Sequence, residues 1–523
     1  MPDRRAWVPW LGAAALALIL SSPLAVLLTQ ALGAAAAVSG PWWDYWAGTL
    51  LSGSVAVVLA VFLGGGAAWL SALYSFPGKA AFDVLIVLPM ALPPYLAAYA
   101  WSGLLEYSGP LSSLVQAWGG APFHLPPQGP LVLGLLLGLQ LYPYVYLTTR
   151  PALASGLASS LEAALVLGRR GWPLFFNPGL GLLRPFLASG AAFVLMESLN
   201  EYGAAVHLGA STLTTGLFRT WHHAYDLPGA LSLALQLCLL AAVLLWTERL
   251  LRRSRRYSGD RRHGAPFPAR RLTGAAGWAL GLLAFSPVIL GLGVPLLQLV
   301  WWAVLYPQPA GPWLSALANT VGLSLAVAGA AVALALTAVF VFSAGRRNVP
   351  GPRTAVEVLA SFGYAVPGVI GALAVVVWAS FLGANAAVGS LLLLGYALLI
   401  RYFSVGHTSL QTAFRHRAEP FGAPARVLGS TTWQTIRRVH LPLLGPSIGF
   451  AFLLLVLDLV KELSMTLLLR PVGFETLPTL LYEQTTQELP QLTAVPGLVL
   501  LGATVALVLA MSRGPWTVSR RKP

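Results

Sequence analysis

Apolar residues in this chain do not alternate with polar ones. They come in long blocks separated by short polar stretches. Six blocks lie near 7–32, 49–74, 82–105, 130–149, 184–208 and 229–250, and six more near 275–305, 316–344, 355–382, 388–404, 445–469 and 493–512. A helix needs about 20 mostly apolar residues to cross the hydrocarbon of a bilayer. Lipid offers no partner to a peptide group, so the pattern predicts helices rather than open strands. Pro93 and Pro367 fall inside two of the blocks and are expected to kink or break them. The run from Trp7 to Leu32 exceeds the apolar stretch of a signal peptide and reads as an uncleaved first span.

Composition agrees with this picture: 57% of the 523 residues are hydrophobic and only 9% are charged, against about 25% charged in soluble domains. The formal net charge of +15 would suggest nucleic acid in a soluble protein. Its placement points elsewhere. With twelve spans both termini lie on one side, and 29 of the 32 Lys and Arg residues fall on that side if it is the cytoplasm. Only Arg219, Lys461 and Arg470 are left for the membrane or the far side. The charge is therefore a topology signal, with anionic lipid as the partner of the basic 252–271 segment and no nucleic acid implied. The lone Cys238 sits in an apolar run; it excludes an intramolecular disulfide and reads as a small buried hydrophobe.

The blocks also repeat. A shift of 261 residues carries Gly168 onto Gly429, Pro185 onto Pro446, Glu197 onto Asp458 and Glu201 onto Glu462. With a different offset, VLPMALPPYLAAYAW at 87–101 resembles FGYAVPGVIGALAVVVW at 362–378. Each half starts on the same side and crosses six times, so the repeat is parallel and the halves should pack around a central path. The expected organisation is a first six-helix half at 1–250, a basic linker at 251–272 and a second half at 273–523.

Between the fourth and fifth blocks of each half lies a polar loop. The first, EAALVLGRRGWPLFFNPGLGLLRP at 162–185, resembles the EAA loop of ABC importer permeases through Glu162, Ala163, Ala164 and Gly168, with Pro178 and Gly181 standing where that pattern has Ile and Pro. The second, APARVLGSTTWQTIRRVHLPLLGP at 423–446, matches through Gly429, Val439, Leu441 and Pro442, with Ala423 in place of the glutamate. Two copies at equivalent places are far more specific than one. The bottom-up alternative is an amphipathic helix lying on the membrane. The resemblance extends to ESLNEYGAAVHLGASTLTTGLFRTW at 197–221 and DLVKELSMTLLLRPVGFETLPTLLYE at 458–483, which look like fused ferric-iron permeases of this family.

The resemblance implies an all-α, polytopic fold of the type I ABC importer permease, of about twelve transmembrane helices in two six-helix repeats. It implies a transport subunit of the bacterial inner membrane, not an enzyme, with both termini cytoplasmic. Its implied partners are two cytoplasmic ATP-binding subunits docked at the two loops and a periplasmic or extracellular substrate-binding protein. ATP and Mg would be used by those subunits, and no cofactor would be bound by this chain. The residues agree on one point: none of the three lysines stands in a G-x-x-x-x-G-K-[ST] loop. Ferric iron is the implied cargo, with thiamine, phosphonate or another small solute as alternatives. An ion-coupled secondary transporter of two six-helix halves is the alternative from a different class.

Acidic residues at membrane depth are costly and are functional candidates by default. Glu197, Glu201, Asp458 and Glu462, with Lys461 beside them, occupy the far ends of the fifth and eleventh blocks and form the expected translocation path. Carboxylates suit a hard cation, while the plainer reading is a structural ion pair. His207, His222 and His223 follow the fifth block, where docking or solvent exposure is a simpler role than metal ligation. No resident metal site is expected.

Overall fold

The computed structural model describes residues 8–34, 42–121, 125, 127–155, 158–169, 171–253, 269–307, 309–343 and 366–513. Most of the linker, the basic termini, the 346–353 loop and the start of the block at 355–382 lie outside the described residues. Among the described residues the fold is all-helical apart from one short strand pair, in which Tyr74 and Ser75 lie parallel to Arg270 and Arg271.

The first half consists of α1 (Val8–Gly33), α2 (Trp42–Leu73), α3 (Pro94–Leu105), α4 (Gly129–Ser155), α5 (Phe175–Asn200) and α6 (Leu227–Arg253). The second consists of α7 (Gly274–Leu305), α8 (Ala310–Ser343), α9 (Gly368–Phe381), α10 (Leu391–Ala413), α11 (Thr432–Val460) and α12 (Ala494–Arg513). Among the described residues ten helices are long and apolar enough to cross a membrane, and a bent pair makes an eleventh. That pair is Lys79–Ala91 with Pro94–Ala117, turned by 93°. With α9, the described part of the remaining block, the expected count of about twelve is reached.

Proline makes the breaks. Pro93 caps α3 and Pro367 caps α9, both with extended ψ, 138° and 142°. Each lacks the N–H a continuing helix would need, and its ring would clash with the carbonyl of the preceding turn. The fifth and eleventh blocks break as well, without proline. After α5 the chain extends at Glu201 and resumes as Gly203–His207. After α11 it breaks at Lys461 and resumes as Ser464–Leu469. The single spans expected at 184–208 and 445–469 are thus longer at their loop ends, starting near 175 and 432, and interrupted at their far ends.

The repeat is visible at the level of single hydrogen bonds. Thr49 Oγ1 on α2 accepts from the N–H of Leu213, and Thr320 Oγ1 on α8 accepts from that of Leu477, at 2.8 and 2.7 Å. Each accepting threonine meets the start of a short helix, Leu213–Phe218 or Leu477–Thr486, capped by a Thr212/Thr215 or Thr476/Thr479 box.

The first helix of each half packs across onto the other half as well as on its own. α1 packs against α8 and α9 of the second half, and Tyr396 on α10 donates to the Ile19 carbonyl at 2.7 Å. α7 packs against α3 of the first half. There Trp302 lies over Gly103 so closely that an added Cβ would stand 1.9 Å from the indole ring. Gly103→Leu is therefore expected to lower stability by about 1–3 kcal/mol, the usual cost of overpacking. Thermal unfolding in detergent checks it; an unchanged midpoint would mean that α7 does not seat there.

Candidate functional site

All five residues expected to form a path line one cavity of about 110 Å³ between the halves: Glu197, Glu201, Asp458, Lys461 and Glu462. Its wall also includes Arg401, Asn200 and Tyr95. The site is built by the helix breaks. Where α5 ends, Glu201 Oε1 accepts the N–H of Ala204 at 2.8 Å and so caps the short helix that follows. Glu462 does the same in the second half, with Oε1 on the N–H of Met465 at 2.8 Å. Its Oε2 accepts from both the N–H and the hydroxyl of Thr466, at 3.0 and 2.7 Å. Ala204 and Met465 are related by the same 261-residue shift as the two glutamates. Orphan N–H groups at a helix start need an acceptor, and here carboxylates that line the cavity supply it.

The two breaks pack on each other. A Cβ on Gly203 would come within 2.8 Å of both Leu463 and Tyr95, so only glycine lets the two segments approach this closely. Beside them the Tyr202 and Tyr482 hydroxyls lie 3.2 Å apart, joining the halves again.

Four carboxylates and two cations line the cavity. Lys461 lies 3.5 Å from Asp458, one turn earlier on the same helix. Arg401 was not among the expected site residues. It falls near the end of the block at 388–404, and the charge count places it with the 29 basic residues of the cytoplasmic side, in the polar segment 401–438 that follows. In the structure α10 runs on past it to Ala413, and through one wide turn into a helix at Glu419–Val427. Arg401 is therefore a residue of the membrane-spanning helix and lies in the cavity wall, which corrects its assignment to the loop. Its Nη2 donates to Asn200 Oδ1 and its Nη1 to the carbonyl of Val366, both at 3.1 Å. The repeat holds a signal for it: the 261-residue shift carries Gln140 onto Arg401 and Asn200 onto Lys461. Gln140 also reaches across, donating to the Gly291 carbonyl of α7 at 2.6 Å.

The two loops lie at the opposite end of α5 and α11. Each is a helix, Ala158–Val166 or Glu419–Val427, stopped by a glycine in the left-handed region: Gly168 at φ +83° and Gly429 at φ +87°. The chain reversal is the same in both. The N–H of Arg169 reaches the Ala164 carbonyl, and that of Ser430 the Ala425 carbonyl, as a glycine-terminated helix requires. Ala163 and Ala423 are exposed, Ala164 is buried, Glu162 and Leu441 are half-buried, and Pro442, within α11, is exposed. Just before each glycine stands a bare aliphatic pair. Val166 and Leu167 are 88% and 80% exposed, and Val427 and Leu428 are 86% and 85% exposed. The motif match had pointed to the glycines and alanines; the aliphatic pairs escaped it because such residues are everywhere in this sequence.

Of the histidines, His207 is held by Ser102 Oγ at 2.8 Å and stacks edge-on against Tyr99. His222 and His223 are exposed. Among the described residues no group of three or more His, Cys, Asp or Glu side chains could hold a metal ion. Cys238 is buried.

No family model matches the chain. Known proteins do. An Fe(3+)-transport system permease protein of Haemophilus influenzae, FbpB 2, is 26% identical over 433 residues, covering 82% of this chain and 81% of that one. The molybdenum transport system permease protein ModB of Escherichia coli is 30% identical over 226 residues, 41% of this chain and 96% of its own. The sulfate transport system permease protein CysT of Escherichia coli is 28% identical over 252 residues, 45% of this chain and 87% of its own.

Proposed function

This chain belongs to the permease family of ABC importers, a multi-pass inner-membrane transport subunit, and from that premise we propose that it carries ferric iron delivered by a substrate-binding protein. The acidic cavity is the observation that carries the cargo reading. Four carboxylates against two cations, shared between both halves, favour a hard cation. A sulfate-like anion would meet a net negative wall. The likeness to an iron permease extends over 82% of the chain and so takes in most of both halves; the molybdenum and sulfate permeases match 41% and 45% of the chain, which is 96% and 87% of their own length.

In this reading Glu197, Glu201, Asp458, Lys461 and Glu462 line the path. Two ATP-binding subunits dock at the loops around Gly168 and Gly429 and supply the hydrolysis, with ATP and Mg bound there. The loops, the linker and both termini face the cytoplasm, in keeping with 29 of 32 basic residues assigned to that side. Arg401 is one of these and lies within the membrane-spanning part instead, which leaves 28 of 32 on that side and the bias intact.

The test is reconstitution of the full complex in proteoliposomes. Iron-loaded binding protein on the side away from the loops should stimulate ATP hydrolysis at least several-fold and move iron to the loop side. Stimulation by a sulfate- or thiamine-loaded binding protein instead, with none by iron, would overturn the cargo. Hydrolysis stimulated only from the loop side would overturn the orientation.

A further inference from the structure

Arginine at the middle of a membrane protein needs a reason. On translocon scales it costs about 2.5–3.5 kcal/mol at the centre of a helix. Arg401 stands eleven residues from Ser390, the cap that starts α10, which is about 16 Å at 1.5 Å per residue. Its guanidinium binds the ends of two interrupted segments, and the start of α9 separates it from a third. Nη2 binds Asn200, the last residue of α5. Nη1 binds the carbonyl of Val366, next to the proline that starts α9. The third is the short helix after Glu462: a Cβ on Gly368 would lie 3.1 Å from Arg401 Nη1, 3.2 Å from Met465 and 3.4 Å from Ser464. The start of α9 is thus lodged between the guanidinium and the beginning of that helix.

We propose that Arg401 is a positioning residue that latches the two halves in the arrangement seen here, and that passage through the cavity requires release of its hydrogen bond to Asn200. The proposal rests on reading the cavity as the path. Three features support it. Asn200 belongs to the first half, whereas Arg401 and Val366 belong to the second, so the Asn200 bond spans the halves and the Val366 bond anchors the guanidinium within its own half. The Asn200 and Val366 oxygens are neutral and are held by Nη2 and Nη1 as by the fork of a planar group, and the same wall holds four carboxylates. A cation arriving among those carboxylates would repel the guanidinium, so entry of cargo and release of the latch are linked by charge. And each tied segment ends or begins at a break, where a few backbone torsions can absorb a hinge motion.

The test uses the full chain alone in proteoliposomes loaded with calcein, following passive entry of Mn²⁺ by quenching. Wild type should be tight. Arg401→Ala and Asn200→Ala should each admit Mn²⁺ at least fivefold faster, and Arg401→Lys should fall between. Asn200→Asp, which turns a neutral acceptor into a charged one, should be as tight as wild type and should slow ATP-driven transport in the full complex. A merely structural role would instead lower the yield of folded protein without this split between Asn200→Ala and Asn200→Asp. If Arg401→Ala does not fold, Asn200→Ala decides. Vesicles with Asn200→Ala as tight as wild type overturn the latch. Because the readout uses neither iron nor a binding protein, a chain that moved no iron yet showed this pattern would overturn the cargo and leave the latch standing.

Discussion

Replacing Glu201 and Glu462 together by glutamine is expected to reduce iron uptake tenfold or more while ATPase docking survives. At about 8 Å and an effective dielectric near 20, each carboxylate is worth about 2 kcal/mol to a unit positive charge, and about 1.4 kcal/mol is a factor of ten in rate. Glutamine is chosen because of what the two side chains also do. At Glu201 one carboxylate oxygen accepts the N–H of Ala204, and an amide oxygen can keep that bond. At Glu462 both oxygens accept, so the amide group of glutamine would face the N–H and hydroxyl of Thr466 with hydrogens of its own. Glu462→Gln should therefore also lose about 1 kcal/mol of stability, and Glu201→Gln should not. Uptake by proteoliposomes and thermal unfolding separate the two effects. Uptake unchanged in the double variant would leave the acids as helix caps only.

Leu167→Asp with Leu428→Asp is expected to abolish co-purification of the ATP-binding subunits without lowering the melting temperature of the permease. Both leucines are more than three-quarters exposed, so the fold loses little packing when they change. A carboxylate buried without a partner in an interface costs about 3–5 kcal/mol. Each single change should weaken assembly by a hundredfold or more, and the pair should remove it. Subunits that still co-purify at wild-type ratio with the double variant would show that the loops dock nothing.

Much of the architecture was readable because a bilayer imposes a coarse rule. The length of each apolar block, the two prolines and the spacing of 261 residues pointed to twelve spans, two breaks and a parallel repeat. The breaks after α5 and α11 were hidden, because no proline or glycine run marks them. They are made by glutamates folding back onto the next helix start, and a side chain's partner is not visible in hydropathy. The same acids were picked out for their cost in lipid, so the residues were legible before their local role was. Arg401 was misplaced for a related reason: a charge ends an apolar window wherever it falls, whether at the membrane surface or in a cavity inside it. Asn200 has no charge to draw notice, and only its bond to Arg401 reveals it.

The packing of each first helix across onto the other half sets a timetable for synthesis. α1 is made first, but its partner α9 begins at Gly368, more than three hundred residues later. At about 5–20 residues per second, that face of α1 waits on the order of half a minute in the lipid before its neighbour exists. α7, by contrast, emerges when α3 is already in place. The first half is thus incomplete until the second arrives, and the second has a seat ready from its first helix. Joining the halves in one chain makes sure that the helix left waiting is met by its own partner and not by that of another molecule.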